Sequence, residues 1–309
     1  MSYLFGRLAR LTIGVPGQQG RLFESFSRDP ETGLLLPGLR FSFSIEKTSE
    51  ALPNKMSIDL YNLNEDSVAI TKKKGATVVL EAGYGSLLTT KWANDNSYNP
   101  SLLSSTLAVI YVGDIAKSHT IKRGPDWVTT IESGDGLSAF QDSQLDASFG
   151  AGASLSSVVT TAIGAMGLGK GNITMPSGGY INGFSFSGHA RDALTLAVDK
   201  GNSEWSIQDG LVQIVPRKKA TTEEIVYLDA DSGLVGSPSH TAFSNAELKN
   251  FGKNAGIQFA SLLQPSIKPG RRVKIASKKV NGIFVPRKVT HRGDTKQGAW
   301  STEVEALEP

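Results

Sequence analysis

Period-two alternation of apolar and polar residues is the feature that most narrows the folds open to this chain. In the segment 38–47, Phe41, Phe43 and Ile45 fall on one side and Ser42, Ser44 and Glu46 on the other. Successive side chains of a strand point to opposite faces, so this spacing predicts a strand buried on one face. Met56, Ile58 and Leu60 against Ser57, Asp59 and Tyr61 repeat the pattern. Further strands are expected at LTIGVP and RLFESF around the loop Gly14–Gly20, at ATVVLEAGY, at the more continuously apolar STLAVIYVGDI, and at DWVTTIE. The polar, turn-rich stretch Lys91–Ser105 reads as a long loop that contacts a neighbour. Many short strands with turn signals predict a barrel or sandwich over residues 1–135.

The period changes near Gly134. Leu155, Val158, Val159, Ala162, Ile163 and Met166 have helical spacing, with Ser154 as N-cap and Gly167 as stop. The Gly150–Gly171 region, rich in small residues, is expected to contact neighbours, since it could bury little apolar area by itself. A second helix is expected from about Gly188 to Lys200, capped by Ser187, with Ala190, Ala193, Leu194, Ala197 and Val198 as its apolar stripe. Asp209-Gly210 between Trp205–Ile207 and Leu211–Val215 is the preferred two-residue type I′ hairpin turn. Residues 136–225 therefore read as an α/β module. Alternation returns in 256–307, with turns at Pro269-Gly270 and Asn281-Gly282, and gives a second β region, 226–309. At 309 residues, a chain buries enough surface to fold without staples and is expected to divide into two or three domains.

Chemistry is sparse. The absence of cysteine removes disulfides, thiolate metal sites and thiol nucleophiles together. His119, His189, His240 and His291 are far apart and form no ligand pair, and no cofactor or metal site is expected. Gly164–Lys170 matches GxxxxGK, but Gly171 stands where Ser or Thr must ligate magnesium, and the motif closes a helix instead of opening one. Asp229-Ala-Asp231-Ser-Gly233 begins like a calcium loop, yet His240 occupies the place of the distal Glu, so a turn between strands is expected. Arg292-Gly293-Asp294 reads as turn chemistry. No GxSxG elbow exists, Ser185 and His189 lack a supporting motif, and nothing selects a carboxylate pair. No stretch is long and apolar enough to span a membrane, and the N-terminus lacks a signal-peptide pattern.

The net charge of +3 hides one asymmetry: Lys268–Lys296 carries ten Lys or Arg against Asp294 alone. Arg271, Arg272, Lys274, Lys278, Lys279, Arg287, Lys288 and Arg292, with Lys296, are the candidate interaction residues. Val273 and Ile275 alternate with Arg272 and Lys274, so these cations, and Lys288 beyond Phe284, are expected to point away from the core. Few aromatics interleave as stacking platforms would.

Two segments, Gly113–Gly136 (GDI…KRGPDWVTTIESGDG) and Pro265–Leu307 (PSIKPGRRVKIAS…VTHRGDT…GAWSTEVEAL), resemble baseplate hub proteins of bacteriophage tails, the group that includes the late control gene D family and the hub of T-even phages. Met56–Gly85 is similar to the first barrel of such hubs. The resemblance implies a mainly β fold with an α/β insert: two tube-like β-barrel domains, 1–135 and 226–309, flanking a small helix-containing module, 136–225. It also implies a non-enzymatic homotrimer in the virion tail baseplate, assembled in the host cytoplasm. That trimer would join a hexameric tail tube or tube initiator to a trimeric spike. Other baseplate proteins and the tape measure protein are further expected partners, DNA would only pass through, and no membrane is entered. Two other classes stay open at this stage: a tail-associated cell-wall-degrading enzyme, and a nucleic-acid-binding β protein resting on the basic stretch.

Overall fold

The structure, a computed structural model, describes residues 6–28, 35–85, 107–242 and 255–308. The Lys91–Ser105 stretch lies outside them. The N-terminal part contains β1 (Arg7–Gly14), β2 (Arg21–Glu24), the short β3 (Phe26–Arg28) and β4 (Leu35–Pro37), β5 (Phe41–Thr48), β6 (Lys55–Tyr61), α1 (Glu65–Thr71), β7 (Thr77–Tyr84), β8 (Ala108–Arg123) and β9 (Asp126–Gly134). Its strands pair in the order β5-β6-β9-β8-β7-β1-β2. The chain closes this curve through backbone bonds from Gly38 to Ser25 (2.9 Å) and Leu39 to Glu24 (3.1 Å). Glycine is required there, since a Cβ at Gly38 would lie 2.7 Å from the Glu24 carbonyl oxygen. The inward faces follow the alternation, with Phe41, Phe43, Ile45, Met56, Ile58 and Leu60 all in one core.

The middle part contains α2 (Leu137–Asp142), β10 (Gln144–Phe149), β11 (Ala153–Ser154), α3 (Leu155–Met166), β12 (Gly169–Ile173), β13 (Gly179–Tyr180), β14 (Phe184–His189), α4 (Ala190–Lys200), β15 (Ser203–Gln208) and β16 (Leu211–Pro216). Ser154 caps α3 by accepting from the Ser157 N–H, and Gly167 ends it in the left-handed region. The expected contact role of Gly150–Gly171 needs correction, because Val158, Val159, Ala162 and Ile163 are fully buried in the module's own core with α4. Ser187 does not cap α4. It stays in β14 and donates to Asp146 on β10, while His189 holds the N-cap position without capping the helix through its side chain. Asp209 and Gly210 have φ of 56° and 80°, the left-handed pair that the type I′ turn requires. The GxxxxGK stretch ends α3 and enters β12, which runs parallel to β16.

The C-terminal part contains β17 (Val226–Leu228), β18 (Leu234–Ala242), β19 (Ala255–Leu262), β20 (Val273–Ala276), β21 (Asn281–Asp294) and β22 (Trp300–Leu307). They pair in the order β18-β19-β22-β21-β20-β17 around a separate core that includes Ile257, Phe259, Val273, Ile275 and Val304. The two β regions are not independent: residues 288–294 of β21 pair antiparallel with 42–48 of β5, so one continuous sheet crosses from one core to the other. Arg292-Gly293-Asp294 is therefore strand, not turn. Gly293 leaves room for the Phe43 ring, which a Cβ there would meet at 2.3 Å.

The pairing registers reveal a duplication that the side chains conceal. In β8–β9, Asp114 faces Gly134, one residue bulges at Ala116, and Lys117 then faces Glu132. In β21–β22, Val285 faces Leu307, one residue bulges at Arg287, and Lys288 then faces Glu305. Counting along both hairpins places Trp127 at the position of Trp300, and the Thr120–Thr129 hydrogen bond (3.0 Å) at that of His291–Thr302 (2.9 Å). The neighbours correspond too: β6 stands to β9 as β19 to β22, and β5 to β6 as β18 to β19.

Candidate interaction surface and its buried anchor

The basic residues singled out above do not form one surface. Arg287 leaves the sheet at the bulge and pairs with Glu204 of the inserted module. Lys288 reaches Glu46 across the β5–β21 seam at 2.8 Å, and Arg292 reaches Glu303 on β22 at 3.4 Å. Arg271 donates to the carbonyls of Glu224 (2.9 Å) and Ser266 (3.1 Å). Arg272 is half-buried, while Val273 and Ile275 beside it are fully buried. The remaining cations lie outward. Lys274 stands 5.9 Å from the centroid of the exposed Tyr227 ring, and Lys278, Lys279 and Lys296 are exposed. Lys274 sits between Tyr227 and Ile283 in the registers of β17, β20 and β21, giving a mixed basic and apolar face.

Burial of charge occurs elsewhere. Lys47 is the next inward residue after Phe41, Phe43 and Ile45, and it is fully buried. Its ammonium meets Asp209 at 2.5 Å, and Lys268 meets the other oxygen of that carboxylate at 2.8 Å. Burial pushes Asp209 upward, but the two ammoniums outweigh it and hold the carboxyl below its ordinary range. Asp135, also buried, accepts the backbone N–H groups of Asp209 and Gly210, both at 2.7 Å. Burial, then the Asp209 charge, raises Asp135 to about 6. Asn54 donates to the Ile207 carbonyl at 2.7 Å and the Gln208 amide oxygen at 3.1 Å. All three parts of the chain thus meet on the Asp209-Gly210 turn: Lys47 and Asp135 from the first, the turn from the second, Lys268 from the third. The alternation carried a signal for this, a lysine at an inward position, which calls for a buried partner.

Among the described residues no group of three or more His, Asp or Glu could hold a metal ion. Asp229 accepts the backbone N–H groups of Asp231 and Ser232, the bonding of a turn. Ser185 bonds Ser148 and His189 bonds Gln144, so neither faces the other.

No family model matches the sequence, and no curated protein is similar to it. Solved structures are similar to it in fold. A tail protein from Neisseria meningitidis MC58 aligns with a TM-score of 0.61, at 8% identity, over 98% of this chain and 97% of its own. The 43 kDa tail protein of prophage MuSo2 from Shewanella oneidensis gives 0.60, at 8% identity, over 97% and 98%. The E. coli c3393 protein gives 0.56, at 8% identity, over 96% of this chain and 76% of its own. It is a component of the type VI secretion system with structural similarity to the T4 tail proteins gp27 and gp5. The chain therefore shares its fold with phage tail proteins over nearly its whole length.

Proposed function

We propose that this protein is a structural baseplate hub of a phage tail. In that role it forms a homotrimer that adapts the hexameric tail tube to the trimeric spike and lines part of the genome-delivery channel. The observation that carries this reading is the repeated strand register: two equivalent hairpin systems in one chain, within a fold shared end to end with tail proteins. Three chains then supply six similar units, the number that a hexameric tube presents. The protein works by its interfaces and not by catalysis, beside other baseplate proteins and in the tail of the virion.

The test is the mass of the purified protein, alone and with its cognate spike, by light scattering. Three copies, or a three-to-three complex with the spike, is the expected result. A strict monomer in assembled tails would overturn it. Nucleotide hydrolysis abolished by Lys170→Ala would overturn the non-catalytic part.

A further inference from the structure

The duplication described above leaves one seam occupied and its counterpart empty. Inside the chain, residues 288–294 of β21 are covered by β5. The equivalent stretch of β8, residues 117–123, pairs with β9 on one side only. The strand equivalent to β5 is β18, and it pairs with β19 only. Among the described residues, neither 117–123 nor 235–242 makes a backbone hydrogen bond on its other side. Trp300, next to the filled seam, is 6% exposed and lies edge-on to Phe43 of β5 at 5.6 Å. Trp127, at the equivalent place, is 53% exposed, and Ile121, on the opposite face across from Val128, is 40% exposed.

We infer that the open edge of β8 in one copy pairs antiparallel with the open edge of β18 in the next, repeating between copies the β21–β5 seam within each copy. The registers fix the pairing. His291 faces Ile45 and Arg292 faces Ser44 in the filled seam. Ile45 and Ser44 correspond to His240 and Ser239 through their partners Met56–Ile257 and Ser57–Gln258. Thr120 should therefore face His240 of the neighbour, and Ile121 should face Ser239. Pro238 and the bulge between Val235 and Ser239 end the pairable stretch, since proline cannot donate to a ladder. Pro238 takes the place of Phe43, so the neighbour's β18 would cover Trp127 as β5 covers Trp300. The two edges differ, so the contact is head-to-tail and must close as a ring or run on as a filament. The number three rests on the hub reading above; the edges and their register do not.

The chain lacks cysteine, which makes the test direct. Ile121→Cys with Ser239→Cys should cross-link neighbouring copies on mild oxidation, with a ladder that stops at three on a non-reducing gel. Either single variant should give no such ladder. Ile121→Cys with His240→Cys, shifted by one residue and hence to the other face, should also give none. Arg292→Cys with Ser44→Cys should cross-link within one chain, which verifies the template seam in the folded protein. An Ile121→Cys–His240→Cys link, or a trimer by light scattering with neither link, overturns the seam and leaves the hub reading intact. A monomer under all conditions, including in tails, overturns both. Trp127→Glu should convert the oligomer to folded monomers with an unchanged circular dichroism spectrum; an intact oligomer speaks against the seam.

Discussion

The buried charges set the residue-scale behaviour. Removing Asp209 leaves Lys47 in the interior without its partner, and Asp209→Ala is expected to lower stability by about 3–5 kcal/mol, read from the denaturant midpoint. Two buried groups pull the pH dependence in opposite directions. Asp135, raised from 3.8 to about 6, keeps a proton in the native state that the unfolded chain has already lost, so its contribution is largest below pH 4 and fades as pH rises through 6. Burial, then Lys47, lowers His291 from 6.5 to about 3, so the unfolded chain binds the proton first and stability falls as pH drops from 6.5 toward 3. Asp135→Asn should therefore steepen the loss of Tm on acidification from pH 6 to 4, and His291→Asn should flatten it below 6.5. Each effect is at most about 1.4 kcal/mol per pH unit within its window.

At the scale of elements, β21 is the strand that joins the two cores, since over its second half it takes β22 on one side and β5 on the other. Gly293→Ala forces a methyl into the Phe43 ring and toward Trp300 at 2.8 Å. It is expected to cost about 1–3 kcal/mol, with the loss measured by thermal unfolding and partly restored by Phe43→Leu. Local pattern made such elements legible one at a time. Phe41–Ile45, Met56–Leu60, α3 with both its caps, and the Asp209-Gly210 turn are all set by contacts near in sequence. The three-residue β17 has too few positions to show a period, and β18 is broken by Pro238 and a bulge, so neither stood out. Ser187 failed as a cap because its hydroxyl found a carboxylate across the β10–β14 pair. The seam between β5 and β21 joins residues that no local pattern connects, and the duplication survives only as a register, with Ile121 standing where Arg292 stands. The basic stretch was legible as charge but not as a surface, because Arg287, Lys288 and Arg292 found carboxylates on strands that the sequence alone does not bring near.

Across the whole molecule, the cations left exposed on the C-terminal β region separate assembly from folding. Lys274, Lys278 and Lys279 lie outside the cores, so changing each to Glu should alter stability by no more than about 0.5 kcal/mol. The same triple variant should enter tails less efficiently than the parent chain, measured by competition during particle assembly. Equal incorporation would remove this face from the list of contacts. The Arg40–Asp294 contact, which braces the seam from the side at 2.8 Å, joins residues 254 positions apart. A ribosome adding roughly 5–20 residues per second needs on the order of ten seconds or more to cover that distance. Through that interval the emerging chain carries β5 with one edge bare, because its permanent neighbour β21 is made much later. A message truncated before β21 yields a product that cannot cover this edge and, lacking β18 when the break comes early, has nothing to offer a neighbour. Synthesis of β21 thus acts as an inspection step, since only a chain that carries it can close the seam on β5.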